Sequence, residues 1–171
     1  IELMNAIAKA QTALGVEFRL RGFIKSQLFT DEQAAAMCRA GFRWILVGFE
    51  SGSPRILENI NKKATLEDNT GMLRIAHAHG LKVKALMSFG HPGDSEETII
   101  ATRDWLLKEK PDDFDCTVIT TYPGTPYYDR ATRQGNSETF RYSYQGDNLY
   151  SVDVDFTKEA AYYKGQKGDY K

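Results

Sequence analysis

The sequence predicts an α/β protein in which strands and helices alternate around a parallel sheet. Apolar runs of strand length recur along the chain, and segments with helical periodicity separate them. Glycine stands just before several of these runs, where it would end a helix and release the chain into the next strand. This order of elements is typical of right-handed βαβ units. The spacing of the strands suits either a barrel or an open, doubly wound sheet.

The elements follow one another in a regular order. A helical pattern over residues 1–14 comes first, and three later helices each begin with a hydroxyl residue in capping-box position, namely Thr30, Thr65 and Ser95. Between them, β-branched and aromatic residues predict strands. The predicted strands are residues 16–24, 43–49, 82–89 and 114–121.

Composition limits the classes of protein that fit. A chain of 171 residues, 42% of them hydrophobic, can bury one ordinary core and is expected to form a single domain. Lys and Arg number 22 against 23 Asp and Glu, so no global basic field indicates nucleic acid, although a local basic patch stays open. No apolar run approaches the roughly 20 residues of a membrane helix, and no secretion signal is visible. We expect a soluble, cytoplasmic protein with no membrane partner.

Cysteine and histidine do not indicate a metal site. Cys38 and Cys116 lie far apart and match no close-spaced metal motif. We expect each to be a buried structural thiol. The histidines, His77, His79 and His91, are too few and too scattered for a first-row metal.

The loop after the second strand carries the first candidate site residues, because ligands of parallel sheets bind at the carboxyl ends of the strands. Glu50, Ser51 and Ser53 stand in a glycine-punctuated turn that leads into a helix. Such a turn offers acceptors for ribose hydroxyls or an ammonium group. The alternative is that Ser53 only caps the helix at Pro54 and that Glu50 is solvated. Lys62 could reach a ligand carboxylate, although lysines are usually solvated.

The loops after the third and fourth strands form the remaining candidates. In residues 88–98, Gly90 and Gly93 would let an adenine or other ring approach the backbone. The alternative is a tight turn with a well-capped helix, in which Asp94 complements the helix dipole and His91 is a hydrogen-bonding loop residue. Two prolines stiffen the loop after the fourth strand, so that it could wall off a site.

Three segments, taken in order, resemble the radical S-adenosylmethionine (SAM) superfamily: GFESGSPRILENINKKAT, KALMSFGHPGDSEETI and TYPGTPYYD. Within it they look like the cobalamin-domain-associated and methylthiotransferase-like branches of these iron-sulfur oxidoreductases. The resemblance covers residues 18–129 and implies that the four strands are the third to sixth of a parallel (βα)6 partial TIM-type barrel. It also implies a division into a barrel fragment, residues 1–134, and a C-terminal extension, residues 135–171.

The same resemblance implies roles for particular residues. Glu50 and Ser51, with Ser53 in the same motif, are similar to the positions that contact the ribose and amino group of SAM. Lys62 matches a basic position and is expected to meet the SAM carboxylate. The adenine is expected to lie near Ser88, Gly90, Pro92, Gly93, Tyr122 and Pro123. Asp94 stands where the family more often has Glu.

In the family, a CxxxCxxC loop holds a [4Fe-4S] cluster, and one electron from it cleaves SAM to methionine and a 5'-deoxyadenosyl radical. This chain contains no such motif, and it also lacks the family's glycine-rich second-strand segment. We therefore expect a fragment of a longer enzyme. The resemblance implies a cluster in the parent protein, whereas the fragment would bind SAM weakly and would be inactive by itself.

Two other classes of protein and one assembly stay open. A phosphate-binding α/β barrel enzyme would need an acid-base pair, and the sequence does not place its only candidates, Glu50 and His91, within reach of each other. A non-catalytic interaction domain could use the tyrosine-rich tail, although these tyrosines also fit a strand-rich lid on the barrel. An exposed strand edge near residues 16–24 predicts a homodimer or a swapped assembly. The substrate is unknown.

Overall fold

The computed structural model describes residues 1–119, Pro126 and the backbone of three short strands between residues 132 and 155. Helices and parallel strands alternate through the first of these ranges. The elements in chain order are α1 (Glu2–Leu14), β1 (Leu20–Ile24), a 3-10 helix (Ser26–Leu28), α2 (Asp31–Arg39), β2 (Phe42–Glu50), α3 (Pro54–Asn59), α4 (Leu66–Ala78), β3 (Lys82–Phe89), α5 (Glu96–Glu109), β4 (Asp113–Val118), β5 (Thr132–Arg133), β6 (Thr139–Ser143) and β7 (Ser151–Asp155).

Strands β1 to β4 form one parallel sheet, and their order in the sheet follows their order in the chain. Helices lie between each pair of neighbouring strands, as right-handed βαβ units require. The predicted α/β class is confirmed, and the open four-stranded sheet is that of a partial TIM-type barrel. Strands β5 to β7 form a separate antiparallel sheet, in which β6 and β7 lie within residues 135–171 and β5 lies before them.

The first strand is shorter than the sequence predicts. The Phe18 N–H group donates to the side-chain oxygen of Gln11 at 2.7 Å, which holds the segment before β1 against α1 instead of β2. The ladder with β2 begins only where Leu20 pairs with Phe42. Strand β3 has its predicted bounds, and β2 extends one residue beyond the prediction at each end.

The helices α2, α4 and α5 begin where the sequence predicts. The side chains of Thr30, Thr65 and Ser95 each accept a hydrogen bond from the N–H group three residues later, and a side chain at that later position returns a bond to the cap. These reciprocal bonds satisfy N–H groups that a helix start leaves without partners. None of the helices described is long and apolar enough to span a membrane.

Helices α2, α4 and α5 cover one face of the sheet. Alternate side chains of β2 and β3 are buried in this layer: Ile45, Val47, Phe49, Val83, Ala85 and Met87. The ring of Phe49 meets that of Trp105 on α5 edge to face, with centroids 5.2 Å apart. Residues between these positions point to the opposite face, because side chains alternate along a strand. Among the described residues, the core therefore occupies one face of the sheet and leaves the other face and the carboxyl edge to a ligand.

The two cysteines lie in different environments. Cys38 is half-buried, and its thiol donates to the carbonyl of His79 at 3.3 Å. Cys116 is exposed, so the prediction of a buried thiol there is wrong. The reason is that β4 is the last strand of the described parallel sheet, and all six of its residues are exposed.

Candidate functional site

The backbone at Glu50 has a conformation that is unusual for a residue with a side chain. Its φ angle is 66°, and the Ser51 N–H donates to the Phe49 carbonyl at 2.8 Å across it. The register between β2 and β3 also shifts between Gly48 and Glu50, as at a bulge. Such a conformation costs about 1–3 kcal/mol and is concentrated at functional sites. Its consequence here is that Glu50 is turned out of the regular strand.

The carboxylate of Glu50 is held at both oxygens. Lys62 donates from Nζ to Oε1 at 3.1 Å, and Ser88 donates from Oγ to Oε2 at 2.8 Å. Gly48 makes room for this arrangement, since a Cβ there would lie 2.5 Å from Oε1 and 3.4 Å from the Lys62 nitrogen. The Glu50 side chain is still 30% exposed, so its remaining lone pairs can accept bonds from a ligand.

His91 extends this network into the protein. Its Nε2 lies 2.6 Å from the Ser88 oxygen. Because a carboxylate can only accept, the Ser88 proton points to Glu50, and the Ser88 oxygen accepts from the Nε2–H group of His91. Burial lowers the pKa of His91 from its ordinary value of 6.5 and outweighs the opposite effect of the Asp94 and Glu50 charges. A neutral, buried histidine thus orients Ser88, and Ser88 orients Glu50.

Ser51 and Ser53 belong to a second, buried cluster against α5. The Ser51 hydroxyl lies 3.1 Å from that of Thr102, which also accepts from the Gly52 N–H at 3.0 Å. The Thr102 proton is donated to the Thr98 carbonyl at 2.9 Å, so Ser51 is the donor of its bond with Thr102. The Ser53 N–H donates to Ser51 at 3.1 Å, whereas the Ser53 side chain makes no capping bond to α3.

The loop after β3 is built around Asp94. One carboxylate oxygen accepts from the N–H groups of Gly90 and His91 at 2.8 and 3.0 Å. The other accepts from the Thr98 hydroxyl at 2.9 Å, and Asp94 is only 2% exposed. Gly90 and Gly93 have φ angles of 86° and 89°, which residues with a Cβ rarely adopt. The loop therefore has one defined shape that depends on a buried carboxylate.

Replacing Asp94 by Ala is expected to destabilise the protein by about 1–3 kcal/mol, because the buried N–H groups of Gly90 and His91 would lose the carboxylate that accepts from them. Denaturation in urea, followed by circular dichroism, measures this loss. Asp68→Ala is the matched control, since Asp68 also accepts a backbone bond at a helix start, but that bond is exposed to solvent. Equal losses in the two variants would contradict the importance assigned to burial.

Helix α3 joins the two loops. Arg55 donates to the carbonyl of Gly93, and Asn59 donates to that of Pro92 at 3.1 Å. The loop after β2 leads directly into α3, so these bonds fix its position relative to the loop after β3. The candidate site is thus a connected unit of two loops, one helix and the edge of the sheet.

The structure brings together some of the candidate residues and separates others. Glu50, Lys62 and Ser88 meet in one network, and Gly90, Pro92 and Gly93 form the adjoining loop. Ser51 and Ser53 lie in the buried cluster beside α5. Tyr122 and Pro123 lie outside the described residues. Three residues that support the site were given no role from sequence: Arg55, Asn59 and Thr102. The sequence offered His91 only as a hydrogen-bonding loop residue or as an acid-base partner of Glu50.

The donor set of this site fits SAM but not an iron-sulfur cluster. A carboxylate with free lone pairs suits ribose hydroxyls or an ammonium group, and a lysine suits a carboxylate. The chain has only two cysteines, whereas the family's cluster motif has three. Cys38 and Cys116 lie on different elements, α2 and β4, and together fall short of the three thiolates that the motif supplies.

Fold and site together define an α/β domain that presents a fixed carboxylate and ammonium at the ligand-binding edge of a parallel sheet. A family model described as the radical SAM superfamily matches residues 1–106. The chain therefore belongs to the radical SAM superfamily, as its three sequence segments suggest.

Its relatives include enzymes named as methyltransferases. The chain is 29% identical over 130 residues to bacteriochlorophyllide d C-12(1)-methyltransferase of Chlorobaculum tepidum, covering 75% of this chain and 27% of that protein. It is 33% identical over 103 residues to an uncharacterized methyltransferase of Pyrococcus horikoshii, covering 60% of this chain and 22% of that protein. The chain thus spans about a quarter of the length of these relatives.

Solved structures show the same fold. The radical S-adenosylmethionine methyltransferase TsrM of Kitasatospora setae, solved with cobalamin and a [4Fe-4S] cluster, superposes with a TM-score of 0.66 at 22% identity. The superposition covers 73% of this chain and 24% of that chain. At this level of identity the likeness extends to the fold alone.

Proposed function

We propose that this chain is the SAM-binding portion of a longer radical SAM enzyme. The observation that carries the proposal is the Glu50 carboxylate, which Lys62 and Ser88 hold in a strained backbone position while 30% of its side chain stays exposed. A residue held in this way is pre-organised for a ligand. In the proposed complex, Glu50 accepts from the ribose or amino group of SAM, and Lys62 meets the SAM carboxylate.

The other candidate residues have supporting roles in the proposal. Ser88 orients Glu50. The backbone of Gly90, Pro92 and Gly93 lies against the adenine, because the two glycines, at positive φ angles, have no side chain that would block the ring. Ser51 and Ser53 hold the loop after β2 on α5. Tyr122 and Pro123 keep their sequence-based prediction as residues that flank the adenine.

Titration of the isotope-labelled chain with SAM, followed by backbone NMR, tests this proposal. We expect saturable shifts at the amides of Glu50, Ser88, Gly90 and Gly93, and no shifts along the outer surface of α1. S-adenosylhomocysteine, which lacks the transferred methyl group, should shift the same amides. Shifts confined to other parts of the chain, or none at millimolar SAM, would contradict the proposal.

The parent enzyme, in this proposal, supplies the [4Fe-4S] cluster that reductively cleaves SAM to a 5'-deoxyadenosyl radical, and this chain alone is inactive. With only two cysteines, the chain should hold no stoichiometric cluster after anaerobic reconstitution with iron and sulfide. Absorbance in the iron-sulfur band measures the outcome. One cluster per chain would defeat this part of the proposal. Oxidoreductase chemistry in the parent and a cytoplasmic location stay predictions from sequence.

A homodimer through the β1 edge is proposed as well. Within the described parallel sheet, β1 pairs only with β2, and Phe23 on it is 76% exposed. Unpaired edges with exposed apolar side chains favour pairing with another chain. Light scattering should show a dimer that Phe23→Lys converts to monomer, because the variant places a charge on the edge. A wild-type chain that stays monomeric at high concentration would exclude the dimer.

A further inference from the structure

A cavity that shares Lys62 with the candidate site opens at the carboxyl edge of the sheet. Its volume is about 230 Å³, and it lies between the end of β1 with its 3-10 helix, Gly48 of β2, and residues 60–63 after α3. Three lysines line it, Lys25, Lys62 and Lys63. No Asp or Glu is among the described residues of its wall.

The charge of these lysines is only partly compensated. Lys62 pairs with Glu50 at 3.1 Å, whereas Lys63 donates at 2.7 Å to the neutral side-chain oxygen of Asn61. In the part of the chain that the structure describes, neither Lys25 nor Lys63 takes part in an ion pair. A cleft lined by charges of one sign concentrates its field and attracts ions of the opposite sign. The cavity is therefore suited to an anion.

Both walls of the cavity are held in place. On the lysine-rich wall, the Lys62 N–H donates to the Leu57 carbonyl at 2.8 Å, and Asn61 takes a positive φ angle of 54°. On the other wall, the buried hydroxyl of Ser26 donates to Asn69 of α4 at 2.6 Å, next to Lys25. The backbone that carries the lysines is thus anchored to α3 and α4 before any ligand arrives, which lowers the entropic cost of binding.

We infer that this cavity binds a carboxylate or phosphate group of the substrate, beside the SAM that Glu50 contacts. The inference rests on the proposed function for the position of SAM. Pockets for drug-sized ligands measure about 300–1,000 Å³, so this cavity of about 230 Å³ is smaller than those and has room for an anionic group. Lys25 and Lys63 attract the anionic group of the substrate, and Lys62 lies between that group and SAM.

Inorganic phosphate and acetate are the probes for this site. We expect either anion to cause saturable NMR shifts at Lys25, Asn61 and Lys63. The double variant Lys25→Gln/Lys63→Gln should weaken phosphate binding about tenfold, since two lysine contacts with the anion are lost. The control variant Lys9→Gln/Lys108→Gln removes the same charge from exposed helix positions and should leave phosphate binding unchanged. Equal weakening in both double variants would overturn the inference.

A competition experiment separates the anionic group of a substrate from the carboxylate of SAM itself. Phosphate that binds to the SAM-saturated chain with unchanged affinity supports a separate substrate site. Phosphate that SAM displaces shows that the cavity holds the SAM carboxylate, which would overturn the inference. A chain that binds phosphate at the cavity but never binds SAM would contradict the proposed function and still support the anion site.

Discussion

Replacing Glu50 by Gln is expected to weaken SAM binding at least tenfold. The amide would place an NH2 group against either the Lys62 ammonium or the Ser88 hydroxyl, which now both donate to the carboxylate. In the proposed complex, the Glu50 carboxylate also accepts a hydrogen bond from SAM. A hydrogen bond to a charged group contributes about 1.5–3 kcal/mol, which corresponds to about 10- to 150-fold in affinity for SAM. Isothermal titration calorimetry of the chain with SAM measures the change.

Glu58→Gln is the control, because Glu58 on α3 is exposed and loses the same charge. Two partial ligands then show which part of SAM Glu50 contacts. These ligands are adenosine and methionine. If the Glu50 variant no longer binds adenosine, Glu50 contacts the ribose of SAM; if it no longer binds methionine, Glu50 contacts the amino group. SAM affinity that stays within about threefold of the wild type, well below the expected energy of a charged hydrogen bond, would refute a direct contact.

Replacing Gly52 by Ala is expected to destabilise the fold by about 3 kcal/mol, at the upper end of the usual cost of overpacking. A Cβ at this position would lie 2.7 Å from the Thr102 Cα and 2.8 Å from the Trp105 Cβ. Both atoms belong to α5, so neither can move away by a side-chain rotation. Urea denaturation followed by far-ultraviolet circular dichroism measures the free energy of unfolding.

Gly71→Ala provides the opposite result in the same chain. Gly71 lies inside α4, and a Cβ there meets nothing within 4 Å. This substitution should stabilise the protein by about 0.5–1 kcal/mol, because alanine loses less conformational freedom than glycine in a helix. A neutral or stabilising effect of Gly52→Ala would contradict the close packing of α5 on the loop after β2.

The elements of the barrel fragment could be predicted because their signals are local. Thr30, Thr65 and Ser95 mark helix starts through bonds to residues three positions away, and these bonds are present. Strand β3 has its predicted bounds for a similar reason, since its apolar run stands between Gly80 and Gly90. The start of β1 was less predictable, because it depends on the bond between Phe18 and Gln11 on another element.

The candidate site could be predicted only in part. The order of the loops identified Glu50, Lys62 and Ser88, but the sequence does not place Glu50 and His91 within reach of each other. Their connection through Ser88 joins residues 38 positions apart and depends on the register of β2 with β3. The same holds for Ser51, whose partner Thr102 lies 51 positions away on a helix that packs over the loop.

The sequence by itself determined the family, the alternation of strands and helices, and the loops in which a ligand is expected. The alternation follows from periodicity and capping, which act over a few residues, and the family follows from the resemblance of three segments taken in order along the chain. Only the tertiary structure decided which side chains of those loops face a ligand and which hold the loops together. The reason is that parallel neighbours come from distant parts of the chain, so the partners of Glu50, and the lysines of the adjoining cavity, meet only when the sheet is formed.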